Sequence, residues 1–279
     1  MSTSSNRVSD RHVPETVPGS FAGFFETWLH EQGRDLEAMK DAARAHAKTA
    51  ESTRSLSKLV GRVIAHYEKY YRVKSDSAEH DVLGMLNPAW RSNLEDAFFW
   101  VGGWRPSTAF HLLYSVSGSQ FEDHFSTLMM SGPRTGDLGD LSPSQLSKVN
   151  DLQQETVKEE RELTELMASH QETVADSSMV QLSHIATELT RDDQRSSVSV
   201  DPQSVNEQVE STIESKEEKL KEILRKADDL RMRTLKKVVQ ILSPIQAVHF
   251  LTAAAQLHLR VHEWGMNKDR CCHAVAYSQ

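Results

Sequence analysis

Apolar residues along this chain recur at three- and four-residue intervals, the spacing of one face of an α-helix. Phe21, Phe24, Phe25, Trp28 and Leu29 open such a stripe, and Leu36 and Met39 carry it further. Leu56, Leu59, Val60, Val63, Ile64 and Tyr67 form a second. Asn87-Pro88 has the chemistry of a helix start, an N-cap followed by proline at the first helical position. It predicts a helix through Trp90, Leu94, Ala97, Phe98 and Val101 that Gly102-Gly103 ends. Arg105-Pro106-Ser107 then starts a helix carrying Phe110, Leu113, Tyr114 and Phe121.

Residues 131–141 are rich in glycine and predict a loop. Ser142-Pro143-Ser144-Gln145 and Ser243-Pro244-Ile245-Gln246 both carry cap, proline and reach-back glutamine, as in a capping box. The first starts a long polar helix to about His170 that continues towards Thr190. A second long helix spans about Ser204 to Leu242, after a polar loop over 191–203. The last helix runs from about Pro244 to Trp264. No strand alternation appears, so the fold class is all-α, a multi-helix bundle with two long helices. Residues 1–18 read as a disordered tail, 19–265 as the helical domain and 266–279 as a second disordered tail.

Charge and composition narrow the function. The 279 residues hold 32 Lys and Arg against 40 Asp and Glu, a formal charge of −8. That balance argues against direct nucleic-acid binding, which needs cations to neutralise phosphates. No apolar run reaches a membrane span, and the Ser-rich start lacks the apolar core of a secretory signal. Cys271 and Cys272 are the only cysteines and build no disulfide framework, which points to a reducing compartment, nucleus or cytoplasm. Nucleophile-elbow, phosphate-loop and dinucleotide motifs are missing, so no enzyme is expected.

The sharpest chemical feature is His258 and His262, four residues apart and hence on one helix face. Neutral imidazole is a common metal ligand. Leu259 stands where a zinc peptidase needs glutamate, so that motif is absent. Two imidazoles one turn apart cannot take opposite axial positions of one haem, although either could ligate iron from one side. The plainer alternative is a pair of half-buried histidines bonded to neighbouring helices. Cys271-Cys272-His273 is a weaker metal or redox candidate, with an ordinary tail as its alternative. Trp28, Trp90, Trp100, Trp104 and Trp264 are either core or interface anchors.

Trp100-Val-Gly-Gly-Trp104-Arg-Pro-Ser107 resembles the central signature of the delay-of-germination (DOG) domain. That domain is shared by plant seed-dormancy regulators and the C-terminal half of TGA-type bZIP transcription factors. Phe24-Phe-Glu-Thr-Trp28-Leu, Asn87-Pro-Ala-Trp90, Leu141-Ser-Pro-Ser-Gln145-Leu, Ala227-Asp-Asp-Leu-Arg231-Met-Arg-Thr-Leu235 and Leu257-His-Leu-Arg-Val-His-Glu-Trp-Gly265 resemble further blocks, in the same order. The resemblance spans about residues 19–265, and the ending is nearer the dormancy-regulator branch. It implies a non-catalytic regulator of the seed-dormancy and abscisic-acid type that acts on transcription through protein partners. It implies haem as a cofactor at His258 and His262. Trp100, Gly102, Gly103, Arg105 and Pro106 would be the structural signature. A docking surface at Phe25, Trp28 and Leu29 would meet type-2C protein phosphatases or transcription factors. The segment before residue 19 has Arg7 and Arg11, no lysine and no heptads, so no basic helix that would enter a DNA groove is expected. The alternative is a TGA-like component with sequence-specific DNA binding, directly or through a bZIP partner. Self-association through the long helices is a further expectation.

Overall fold

The computed structural model describes residues 20–46, 49–128, 137–191 and 202–276. The expected tail over 1–18 and most of the two expected loops, at 131–136 and 192–201, lie outside the described residues. Every regular element among the described residues is helical. Helix α1 spans Phe21–Arg44, α2 Ala50–Ala78, α3 Val82–Leu86, α4 Asn93–Asp96 and α5 Thr108–Leu128. Helices α6 Pro143–Glu172, α7 Ser177–Arg191, α8 Pro202–Ile241 and α9 Pro244–Ala276 complete the order. The all-α bundle expected from the apolar periodicity is the fold observed.

The stripes read from the sequence are the buried faces. Phe21, Phe25, Trp28, Leu36 and Met39 of α1 point inward, as do Leu56, Val60 and Val63 of α2. Helix α9 lies against α1, α2, α4 and α5, while α6 runs along α8. Phe110, Leu113, Val149, Leu152, Val238, Val248, Phe250 and Leu251 fill the main core. Phe21, Phe25, Trp28 and Tyr70 form an aromatic cluster with Val82, Met85 and Leu224. Leu163, Ala227 and Leu230 make the seam between α6 and α8, so these two stripes face each other within one chain.

Ser142 and Gln145 form the capping box that starts α6, with Pro143 in its first turn. Ser243 and Gln246 repeat the reciprocal bonds at α9, at 3.4 and 2.9 Å. The two boxes also meet. Gln145 Nε2 donates to Gln246 Oε1 at 2.8 Å and to the Ile241 carbonyl at 3.0 Å, tying the start of α6 to the α8–α9 corner.

Three expected boundaries are corrected. Asn87-Pro88 ends a helix and does not start one, because Asp81 caps the Gly84 amide at 2.8 Å and the Asn87 amide closes α3 onto Leu83. The capping box lies further on, at Ser92 and Glu95, and its helix α4 is one turn long. Phe98, placed on an inward stripe by the longer helix, is 64% exposed. The tail expected from 266 is helix α9 as far as Ala276. Asp269 on that extension accepts the Asn93 amide at 2.9 Å and so caps α4. Gly265 lets the two helices touch, since a Cβ there would fall 2.0 Å from Ser92 Oγ. Finally, the path towards Thr190 is interrupted by a 3₁₀ turn at Thr173–Ala175, where Lys216 bonds the Thr173 carbonyl and the Asp176 carboxylate.

Candidate functional site

The signature segment is a tight turn between α4 and α5. Trp100 and Gly103 exchange both backbone bonds, at 2.8 and 3.2 Å. Val101 and Gly102 have φ of 45° and 67°, the left-handed region that glycine enters without cost. A Cβ on Gly102 would stand 2.9 Å from the Met85 carbonyl and from Leu224 Cδ1. At Gly103 it would stand 2.9 Å from the Arg231 guanidinium carbon. Both glycines therefore answer to neighbours on other elements.

The turn points its carbonyls at three buried cations. Lys74 Nζ donates to Gly102 O at 2.8 Å and to Asp228 at 3.0 Å. Arg231 donates to the carbonyls of Trp100, Val101 and Trp104 and to Asp228. Arg91 donates to Gly102 O at 3.4 Å and to the Tyr70 hydroxyl at 3.0 Å. Burial pushes the Lys74 ammonium down to about 7 despite the Asp228 charge beside it, and the two guanidiniums push the same way. The other signature residues anchor the turn to α6. Trp100 Nε1 donates to Thr164 at 2.9 Å, Arg105 pairs with Glu160 at 3.5 Å, and Glu160 accepts the Ser107 amide at the entry to α5. Pro106 is buried beside them.

A cavity of about 280 Å³ opens next to the turn, between α1, α2, α5, α8 and α9. Trp28, Tyr67, Trp104, Leu112, Leu235 and Phe250 give it an apolar, largely aromatic wall. His258 is on that wall; His262 is not.

The histidine pair is thus divided. His258 Nδ1 donates to Gln32 Oε1 at 3.0 Å, and Gln32 Nε2 donates to the Tyr67 hydroxyl at 2.8 Å. Burial lowers His258 to about 4, so its ring is neutral at pH 7. His262 Nδ1 donates to Glu95 Oε2 at 2.9 Å and its ring meets Phe25 edge-on. Burial pushes Glu95 up, but the bonds from His262 and Ser92 outweigh it and hold the carboxyl at about 2. In both residues Nδ1 is taken by an acceptor, the arrangement found behind metal-bound histidines, where it fixes the tautomer that leaves Nε2 its lone pair. The donor chemistry suits an iron ligand at both positions, and among the described residues His258 lines the cavity while His262 does not, but about 280 Å³ is too small to enclose a haem.

The expected docking surface is corrected. Phe25 and Trp28 are 2% and 3% exposed. Trp28 donates Nε1 to the His66 carbonyl at 3.3 Å, and its ring lies 4.8 Å from Tyr70 and 5.1 Å from His66. These residues bind α1 to α2 and α9 because a large aromatic face gains more from burial than from solvent. Leu29 alone of the three reaches the half-buried rim. Trp90 and Trp100 are partly buried against the core clusters, whereas Trp264 is 58% exposed. Cys271 and Cys272 are exposed thiols on α9, and among the described residues no group of three metal-ligating side chains converges.

Sequence reasoning missed Gln32, Lys74, Arg91, Glu95 and Asp228. Two carried a signal. Lys74 sits on the buried stripe of α2, four residues after Tyr70 and four before Ala78. Glu95 completes a Ser-x-x-Glu capping box. Nothing in the local pattern marks Asp228 or Arg91 as neighbours of Gly102.

The chain is similar to known proteins. A family model described as "DOG1: Seed dormancy control" matches residues 35–115, which include the whole signature turn. Protein DOG1-like 3 of Arabidopsis thaliana is 31% identical over 253 residues, covering 88% of this chain and 84% of the relative. Protein DOG1-like 1 of the same plant is 31% identical over 264 residues, covering 88% of each. The chain belongs to the DOG1 family. Transcription factor TGA2 of Arabidopsis thaliana is also similar, 29% identical over 226 residues, which is 81% of this chain and 57% of that longer protein. This DOG1-family chain is therefore related to plant regulatory proteins of two kinds. No helix among its described residues is long and apolar enough to cross a membrane.

Proposed function

We propose that this chain is a non-catalytic plant regulator that acts by binding other proteins, among them transcription factors, and so tunes transcription in the nucleus. The likeness to both DOG1-like proteins and TGA factors over more than four fifths of the chain carries the reading. The geometry agrees with it. Lys74, Asp228 and Arg231 bond to the turn and to one another. The formal charge of −8 favours contact with DNA through a bZIP partner over direct contact. Affinity purification of the tagged chain from plant nuclear extract tests it. Recovery of a bZIP factor or another signalling protein is the expected result, and recovery of neither defeats the reading.

Type-2C phosphatases of abscisic-acid signalling are a proposed partner class, supported by the resemblance of the α1 segment. Leu29 lies on the half-buried rim of α1, packed against the aromatic cluster, with Glu26 and Thr27 exposed beside it. Thr27→Arg is the informative variant, because Trp28→Ala opens the core and Leu29 packs against it. Loss of phosphatase capture in Thr27→Arg with an unchanged melting curve is expected.

Haem binding is a second reading, favoured by the Gln32 bond behind His258. His258 would hold the iron, and because about 280 Å³ does not enclose a haem the reading requires the cavity, which Lys74, Arg91 and Arg231 line, to widen on binding. Adding hemin should give a Soret shift that His258→Ala removes and His262→Ala keeps. An identical spectrum in His258→Ala excludes this residue.

A further inference from the structure

Charge around the cavity beside the signature turn does not balance. Its lining includes Lys74, Arg91 and Arg231 and no carboxylate. Asp228, just behind the wall, pairs with Lys74 and Arg231 together. Arg91 is 8% exposed and paired with no carboxylate among the described residues. Its guanidinium lies 3.9 Å over the Phe99 ring and bonds the Tyr70 hydroxyl and, at a long 3.4 Å, the Gly102 carbonyl, so donors are left over from its five. A buried guanidinium in direct contact with no carboxylate is costly, and in low dielectric it attracts an anion strongly. The rest of the wall, from Trp28 and Trp104 to Leu112, Leu235 and Phe250, is apolar and aromatic.

We propose that this cavity binds a small amphipathic monocarboxylate, its carboxylate on Arg91 and its apolar body against the aromatic wall. Bidentate pairing is the geometry in which guanidinium recognises carboxylate. The volume of about 280 Å³ suits one or two rings, since it lies just below the ~300–1,000 Å³ of clefts that take drug-sized ligands. A dianion is disfavoured because Lys74 and Arg231 already share Asp228. The site is independent of the partner-binding reading and is measured on the chain alone; it shares its cavity with the haem reading, and titration without hemin keeps the two distinguishable.

Calorimetric titration of the full chain with 2-naphthoate and with 2-naphthol tests the proposal. Both have the same flat body and only the first carries the charge at neutral pH. Naphthoate should bind at least ten-fold more tightly. Arg91→Gln should weaken naphthoate at least ten-fold and leave naphthol within two-fold. Ala254→Phe, which fills the cavity from α9 and leaves the cations in place, should weaken both at least ten-fold. Equal affinity for the two compounds, naphthoate binding unchanged in a folded Ala254→Phe, or no heat from either compound at millimolar concentration overturns the site.

Discussion

Gly102 and Arg231 meet across the signature turn, and each explains the other. The left-handed backbone at Gly102 turns the carbonyls of Trp100, Val101 and Trp104 towards one guanidinium on α8. Gly102→Ala combines a positive-φ penalty with a contact on the Met85 carbonyl that no rotamer relieves. It should cost about 2–3 kcal/mol in urea denaturation. Arg231→Met leaves Asp228 to Lys74 alone and takes the guanidinium donor from three carbonyls, of which Trp100 keeps the Gly103 amide. A loss of about 3–5 kcal/mol is expected, as for other broken buried pairs. Gly33→Ala is the control, because open space surrounds that position.

At the scale of elements, the two capping boxes act as one joint. Each satisfies the first amides of its own helix, and Gln145 then bonds Gln246 across the gap. Removing either glutamine should cost about 1 kcal/mol, the usual worth of a cap. A double-mutant cycle on Gln145→Ala and Gln246→Ala should return a coupling of roughly 0.5–1 kcal/mol, because the two share a hydrogen bond. Additive losses would show that the boxes work separately. The proline-serine spelling of both starts is plain in the sequence. Their contact is not, since about a hundred residues separate them in the chain and only the packing of α6 on α8 brings them together.

Over the whole molecule, buried groups set the response to acid, His258 and Glu95 foremost, with His66 and His249 also lowered by burial. His258 is held at about 4 by burial, against an ordinary 6.5. Glu95 is held at about 2 by its hydrogen bonds, which overcome its burial, against 4.5. Between the folded and unfolded values the unfolded chain binds more protons, so stability rises with pH there. Both contributions are complete above pH 6.5. Acidification removes the first between 6.5 and 4 and the second between 4.5 and 2. Lys74, lowered to about 7 by burial from 10.5, adds a rise on the alkaline side between those values. Melting temperature followed against pH should therefore fall below 6.5, and His258→Gln should reduce the slope between 6.5 and 4, where burial also lowers His66 and His249. An unchanged slope in that variant would assign the loss elsewhere.

The order and spacing of apolar residues determined the fold class and most helices, because burying a stripe every three to four residues demands helix against helix. The same pattern marked the turn at Gly102-Gly103 and both proline-capped starts. Tertiary structure decided what these features face. It buried Phe25 and Trp28, which the stripe placed on the apolar face and the family resemblance made a docking surface, because the aromatic faces of α1 and α2 close over each other beneath α9. It also separated His258 from His262, since one turn of rotation meets Gln32 and a cavity while the next meets Glu95. Periodicity reports which side of a helix is buried. The identity of the partner there depends on contacts between residues far apart in the chain, and no local pattern encodes them.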